Sequence, residues 1–118
     1  MTRVFVYGTL KRGGSNHDHL AGQQFVGAAR TAPIYRLYLL DGYPGLVEAP
    51  NQGVSVDGEI WAVDPACLAR LDELEGTTEN LYARRPVTLL PPHDALAVET
   101  YFYLQSIDGR WDLGTQFD

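Results

Sequence analysis

The sequence predicts an α+β fold: a small β-barrel of mostly antiparallel or mixed strands, with one main helix over about residues 65–75 and one or two short helices. Three observations predict it. Short runs rich in β-branched and aromatic residues recur along the chain, each bounded by Gly, Pro, Asn or Asp. One stretch alone carries a full set of helix start and stop signals. Strands and helices do not alternate regularly, which argues against a parallel sheet built from βαβ units.

Taken in order, Arg3 to Tyr7 is an apolar run stopped by Gly8, and it predicts the first strand. A short helix is predicted from Ser15 or Asn16 through Leu20, before Gly22. Phe25 to Thr31 and Pro33 to Leu40 are the next strands, the second closed by the turn pair Asp41-Gly42. Gly45 to Glu48 is a short strand. Ser55 to Val63 alternates well enough for a strand with a bulge near Asp57-Gly58. The main helix follows: Asp64 suits the N-cap, Pro65 the first helical position, and Gly76 the residue just past the end. Arg84 to Leu90 and Ala97 to Leu104 complete the strands, and Asp108-Gly109 marks a turn after them.

A chain of 118 residues buries one core but not two, so residues 1–118 are expected to form a single domain. Hydrophobic residues make up 45% and charged residues 20%, the balance of a globular chain rather than a disordered one. No run approaches the roughly 18 apolar residues of a membrane helix, and Met1-Thr2-Arg3 leads straight into a strand without a secretory h-region; a cytoplasmic protein with no membrane partner is expected. The formal net charge of −6 and the scatter of the basic residues, with Lys11 the one lysine, exclude a nucleic-acid partner. Cys67 has no disulfide partner and sits among apolar neighbours, as a small buried hydrophobe does.

Two places carry chemistry. At about 100° per residue from Leu68, Leu71, Cys67 and Leu74 fall in an arc between about 240° and 360°, and Glu75, at about 340°, falls inside it. Glu73 and Arg70 project to the opposite side, at about 140° and 200°, and Asp72 lies on the border at about 40°. An inward carboxylate at a helix C-terminus has its pKa raised both by burial and by the helix dipole, which is how a glutamate becomes a proton shuttle near neutral pH. The projection leaves a second placement open, in which the last turn frays and Glu75 reaches solvent. The other place is Tyr7-Gly8-Thr9-Leu10, where an apolar strand ends at a glycine and enters the glycine-rich Lys11-Arg12-Gly13-Gly14. Such a turn either serves as an ordinary strand exit or presents backbone N–H groups as a nest for an anion or carbonyl. It has neither the P-loop ending nor the spacing of a dinucleotide-binding loop. His17-Asp18-His19, His93 and Cys67 lack zinc-type spacing, so no metal is expected. Tyr82, Tyr101 and Tyr103 read as core or barrel-lining aromatics, and Arg84-Arg85 as a solvated pair.

Val4-Phe5-Val6-Tyr7-Gly8-Thr9-Leu10-Lys11-Arg12-Gly13 resembles the N-terminal signature of the γ-glutamyl cyclotransferase-like (AIG2-like) family, particularly its γ-glutamylamine cyclotransferase branch, in which Asn16-His17 also has a counterpart. Tyr43-Pro44-Gly45-Leu46-Val47, the segment 56–64, Leu71-Asp72-Glu73-Leu74-Glu75-Gly76 and Tyr82 to Val87 recur in the family's order. The resemblance runs from residue 3 to about residue 104. It implies that Glu75, closing the Leu-Asp-x-Leu-Glu-Gly helix, is the catalytic acid/base, and that Tyr7, Gly8, Thr9 and Leu10 hold the γ-glutamyl group, with Tyr82 a further substrate contact. The implied reaction cyclises a γ-glutamylamine or γ-glutamyl amino acid to 5-oxoproline and releases the amine, with no cofactor or metal. Specificity is expected at the pocket mouth, around residues 14–24, 41–53 and 77–82. The partner is then a small γ-glutamyl molecule, and the protein a monomer or weak homodimer. The alternative is a non-catalytic member of the fold that uses the same pocket to bind a small metabolite or a protein.

Overall fold

The computed structural model describes residues 1–117. Eight strands form one mixed sheet: β1 (Thr2–Val6), β2 (Gln24–Arg30), β3 (Tyr35–Leu39), β4 (Pro44–Glu48), β5 (Asp57–Val63), β6 (Tyr82–Pro86), β7 (Glu99–Tyr103) and β8 (Trp111–Asp112). The order is β2-β5-β1-β7-β4-β3-β8, with β6 pairing β7, and the sheet curls into a half-barrel against one helix, α1 (Pro65–Leu74). Single 3₁₀ turns at His17–Leu20 and Thr77–Glu79 are the short helices. The α+β class with one main helix is thus the observed one.

Strand β7 organises the sheet. β6 pairs antiparallel along its whole length, from Tyr82↔Tyr103 to Pro86↔Glu99. A strand has two edges, so β1 and β4 share the other, each in parallel, at Val4↔Glu99 and Leu46↔Phe102. Where β1 and β4 part, the Tyr7 hydroxyl fills the fork: it donates to the Tyr101 carbonyl at 2.6 Å and accepts from the Leu46 amide at 3.2 Å. A side chain stands in for ladder bonds that would otherwise be orphaned.

Both faces of β1 are covered, which is why its sequence is continuously apolar rather than alternating. Phe5 and Tyr7 join Leu37, Leu46, Ile60 and Phe102 in one core cluster. Val4 and Val6 join a second with Trp61, Val63, Cys67 and Leu71, against α1. Cys67 is fully buried, and burial pushes its thiol pKa up, so it packs as a hydrophobe.

Most strand ends differ from the sequence reading by one to a few residues, and the bulge and one strand differ outright. The bulge lies on β2, where Phe25 faces Trp61 and Gly27 faces Ile60 with Val26 extra, while β5 runs in unbroken register with β1. Gly58 serves close packing instead: a Cβ there would stand 2.5 Å from Phe5 Cζ and 2.5 Å from the Val6 carbonyl oxygen. Gly58→Ala is therefore expected to destabilise the fold by about 1–3 kcal/mol, the range for overpacking a core, read as a lower urea midpoint at unchanged slope. β6 begins two residues earlier than expected and stops at Pro86, beyond which the Val87 amide still donates to the Val98 carbonyl at 3.0 Å. The third strand is trimmed to Tyr35–Leu39, and the two-residue β8 was not foreseen, because Trp111-Asp112 pairs only with Tyr38 and Leu39, far away in sequence.

Candidate active site

The end of α1 decides where Glu75 goes. Asp64 caps the start, accepting from the Cys67 amide at 2.7 Å, and Pro65 occupies the first turn. At the other end Glu75 keeps a helical conformation (φ −81°, ψ −4°), its amide bonded to the Leu71 carbonyl at 2.9 Å. Gly76 then turns the chain with φ 68°. The last turn is not frayed, so the inward direction of the helical projection holds one residue past the helix proper. Leu74 departs from that projection. It is 41% exposed, on a rim rather than in the core.

Glu75 lines a cavity of about 380 Å³ together with Tyr7, Gly8, Thr9, Leu10 and Tyr82, so the six residues that the family resemblance points to meet in one place. Ser15, Asn16, Gly42, Tyr43 and Leu81 also belong to the wall, from the three segments expected at the mouth. Tyr101 and Leu74, not anticipated there, complete its floor and rim. Tyr101 was legible only as a barrel aromatic, since nothing local shows which face of β7 fronts the cavity.

The turn after β1 is braced from several sides. Gly8 makes room for Pro44: a Cβ would stand 2.6 Å from Pro44 Cγ, so close packing of the protein itself, not a positive φ, demands the glycine. The Asn16 amide and side chain donate to the Thr9 carbonyl (2.9 Å) and to Thr9 Oγ1 (3.0 Å). His17 stacks edge-on against Trp61, with Nδ1 3.0 Å from the Leu10 carbonyl. Downstream, Glu59 accepts from the Arg12 amide and Nε, both at 3.0 Å, and from Trp61 Nε1 at 3.2 Å. Burial pushes the Glu59 pKa up, but the bonds from Arg12 and Trp61 outweigh it and hold the carboxyl below its usual range. The result leaves the amides of Gly8, Thr9 and Leu10 donating to no acceptor among the described residues.

Asp72, three residues before Glu75, clamps α1 to the sheet. It accepts from Arg84 Nε (2.9 Å) and NH2 (3.1 Å) and from the Tyr101 hydroxyl (2.6 Å), while Arg84 NH1 reaches Glu99 at 2.7 Å. The reading of Arg84-Arg85 as a solvated pair is corrected for Arg84, because the border position of Asp72 on the helix brings a carboxylate to it. Arg85 stays exposed. Sequence patterning missed this clamp because its members lie on three elements.

Electrostatically the cavity has one group poised near neutrality. Burial raises the Glu75 pKa from 4.5 to about 7, and no hydrogen bond or ion pair from the described residues holds its carboxylate. Tyr7 is pushed well up, by burial first and then by the Glu75 charge, and burial drives Tyr82 and Tyr101 upward too, so these phenols stay protonated. The Tyr82 hydroxyl donates to the Pro44 carbonyl at 2.8 Å. Among the described residues, no Lys, Arg or His lines the wall. Among the described residues, no three His, Cys, Asp or Glu side chains cluster as a metal site, and no helix is long and apolar enough to cross a membrane.

A curled mixed sheet, one helix, and a half-buried carboxylate in the wall of a cavity define the class: an α+β half-barrel with Glu75 at the end of its helix facing that cavity. The chain belongs to the family described as Gamma-glutamyl cyclotransferase, AIG2-like, whose profile matches residues 4–115. It is 53% identical over 72 residues to a putative gamma-glutamylcyclotransferase of Vibrio cholerae, covering 61% of this chain and 60% of that protein. It is 42% identical over 93 residues to gamma-glutamylaminecyclotransferase A of Danio rerio, covering 73% of this chain and 57% of that one, so the match spans under two thirds of either relative. The crystal structure of an AIG2-like protein from Mus musculus superposes with a TM-score of 0.84 at 29% identity, covering 100% of this chain and 88% of that one.

Proposed function

We propose that the protein is a γ-glutamyl cyclotransferase, acting on a γ-glutamylamine or γ-glutamyl amino acid with Glu75 as its general acid/base. The observation that carries the reading is the unpaired Glu75 carboxyl, pushed up to about 7, in one cavity with the turn Tyr7 to Leu10. Membership of the family supports it.

The reaction follows from those groups. Ionised Glu75 takes a proton from the substrate's α-ammonium, and the freed amine attacks the substrate's own γ-carbonyl carbon. A five-membered ring closes through the new C–N bond, and the carbonyl oxygen gains charge. Protonated Glu75 then gives its proton to the leaving nitrogen, the old C–N bond breaks as the carbonyl re-forms, the ring nitrogen passes its second proton by way of Glu75 to the departing amine, and 5-oxoproline and the alkylammonium leave. The proton returns to where it is needed, so no co-reactant is consumed and the reading calls on no cofactor. A pKa near the working pH suits both halves, since the group must accept and then donate. The unspent amides of Gly8, Thr9 and Leu10 offer a fixed site for the substrate's α-carboxylate or for the oxyanion. Tyr7 and Tyr82, whose hydroxyls are engaged with backbone carbonyls, contribute wall rather than proton transfer.

Incubating the purified protein with a panel of γ-glutamylamines and γ-glutamyl amino acids, and measuring 5-oxoproline, tests this. Release from at least one compound is expected. Tight binding of a γ-glutamyl compound without any 5-oxoproline would instead establish a non-catalytic binding protein.

A further inference from the structure

The cavity has two unlike halves. One is the loop after β1 with its polar rim, Thr9, Ser15 and Asn16, tied down by bonds between near neighbours. The other is the stretch 72–84, which runs from the last turn of α1 through the 3₁₀ turn at Thr77–Glu79 into β6. It brings Leu74, Glu75, Leu81 and Tyr82 to the wall, where Leu74 and Leu81, with Tyr43 from the turn between β3 and β4, make an apolar rim.

The two ends of that stretch are tied together. Arg84 sets Nε and NH2 on the two carboxylate oxygens of Asp72, at 2.9 and 3.1 Å, so one fork closes the loop that carries Glu75. The third leg is Tyr101 on β7, whose hydroxyl donates to Asp72 at 2.6 Å, and Arg84 NH1 reaches Glu99 on the same strand at 2.7 Å. The side chains of Arg84 and Asp72 are 26% and 27% exposed, whereas Arg30, in its pair with Asp57, is 58% exposed. A shielded bidentate pair holds its geometry where an exposed single contact contributes little.

The clamp stands beside the Glu75 carboxyl without touching it. The groups that feel the Glu75 charge are phenols: Tyr7 from β1, Tyr43 from the turn between β3 and β4, Tyr82 from β6 and Tyr101 from β7. Glu79, whose Oε2 lies 2.9 Å from where a Gly76 Cβ would stand, is exposed. Burial alone raises the Glu75 pKa, with no contribution from Asp72, Arg84 or Glu99. What the clamp does for Glu75 is therefore mechanical.

We propose that Asp72 and Arg84, anchored by Tyr101, are positioning residues for the cyclisation: their clamp keeps the last turn of α1 closed and so keeps the Glu75 carboxyl inside the cavity. The proposal rests on the cyclotransferase reading. Its signature is a sign. Loss of a cation acting through its field raises the pKa of a nearby carboxyl, whereas release of that carboxyl into water lowers it.

Arg84→Met keeps the stem of the side chain and removes the fork. Carboxyl-carbon NMR follows the titration of Glu75, identified by the signal missing from Glu75→Gln. The wild-type midpoint is expected near 7, and that of Arg84→Met lower by about one unit or more, toward the 4.5 of a free glutamate. On any γ-glutamyl compound that the wild type cyclises, kcat is expected to fall about 10²-fold with KM little changed, and the acid limb of kcat/KM to move down with the titration. Arg84→Lys, which keeps the charge but not the fork, is expected to fall between the two, and it carries the test if Arg84→Met does not fold. Arg30→Met, which breaks the exposed pair with Asp57, is the control expected to move neither. A Glu75 midpoint that stays in place or rises in the folded Arg84 variants would overturn the proposal, whatever happens to kcat, while 5-oxoproline release by the wild type would leave the cyclotransferase standing. No 5-oxoproline from any compound of the panel would overturn the parent reading and the positioning role with it, even if the midpoint falls.

Discussion

Glu75→Gln is expected to lower the turnover number for 5-oxoproline release by about 10²–10⁴-fold, the worth of a positioned proton-transfer group. Glutamine matches glutamate in shape but neither takes a proton from an ammonium nor returns one to a leaving nitrogen. The fold should survive, because the Glu75 side chain makes no ion pair or hydrogen bond with the described residues that the substitution would break. Substrate affinity should change little, as the turn amides and the polar rim are untouched, so the loss falls on kcat rather than KM. Steady-state kinetics on any compound that the wild-type protein cyclises decides it. Activity within about threefold of wild type would remove Glu75 from the mechanism, since that is far below the general acid/base range.

The second large effect is in pH. With the Glu75 pKa near 7, kcat/KM is expected to fall about tenfold per unit as pH drops below 7, since only the ionised form accepts the substrate's proton. Stability moves the other way. The folded state holds the Glu75 proton up to about pH 7 where the unfolded chain releases it near 4.5, so between those values the native state binds more protons and loses stability as pH rises. Above 7 the ionised, half-buried carboxylate costs up to about 3 kcal/mol, by the usual 1.36 kcal/mol per pKa unit. Glu75→Gln removes that cost, so the variant is expected to be more stable than wild type at pH 8 by as much as that amount and nearly equal at pH 4. Asp72 and Glu59, held below their ordinary range by Arg84 and Arg12, act in the opposite sense: they stabilise at neutral pH and lose that contribution in acid. Both proteins share them, so the difference between wild type and variant isolates Glu75. Urea melts at the two pH values measure it, and a pH-independent difference would show that the carboxyl is not buried in solution.

The gain in stability and the loss of activity thus have one cause. A carboxylate left without a partner costs the fold, and the same lack of a partner tunes it for proton transfer.

Much of this was legible from local patterning, where local chemistry dominates. Asp64, Pro65 and Gly76 fixed the helix because caps and turn residues act on their immediate neighbours. Every strand except β8 was visible as a β-branched or aromatic run, with ends off by one to a few residues. Helical periodicity offered the inward direction of Glu75 as one of two placements, and the bond of the Glu75 amide to Leu71 selects it by keeping the last turn intact.

What local pattern did not carry was whatever depends on distant pairing. Gly58 looked like a bulge residue, yet its absent side chain makes way for Phe5 on β1, and the real bulge sits on β2. Arg84 looked solvated, yet Asp72 and Glu99 converge on it from α1 and β7. Leu74 counted as core by its angle, but the helix ends there and the cavity opens beside it.

The sequence by itself determined most of the secondary structure, the helix capped by Glu75, and the family to which the chain belongs, because these rest on residue types and spacings along the chain. Only the tertiary structure decided that Glu75, the turn after β1 and an apolar rim from three elements line one cavity with no cation among the described residues of its wall. Burial and the absence of a counter-charge are properties of what the folded chain packs around a group, and no neighbour in sequence supplies them.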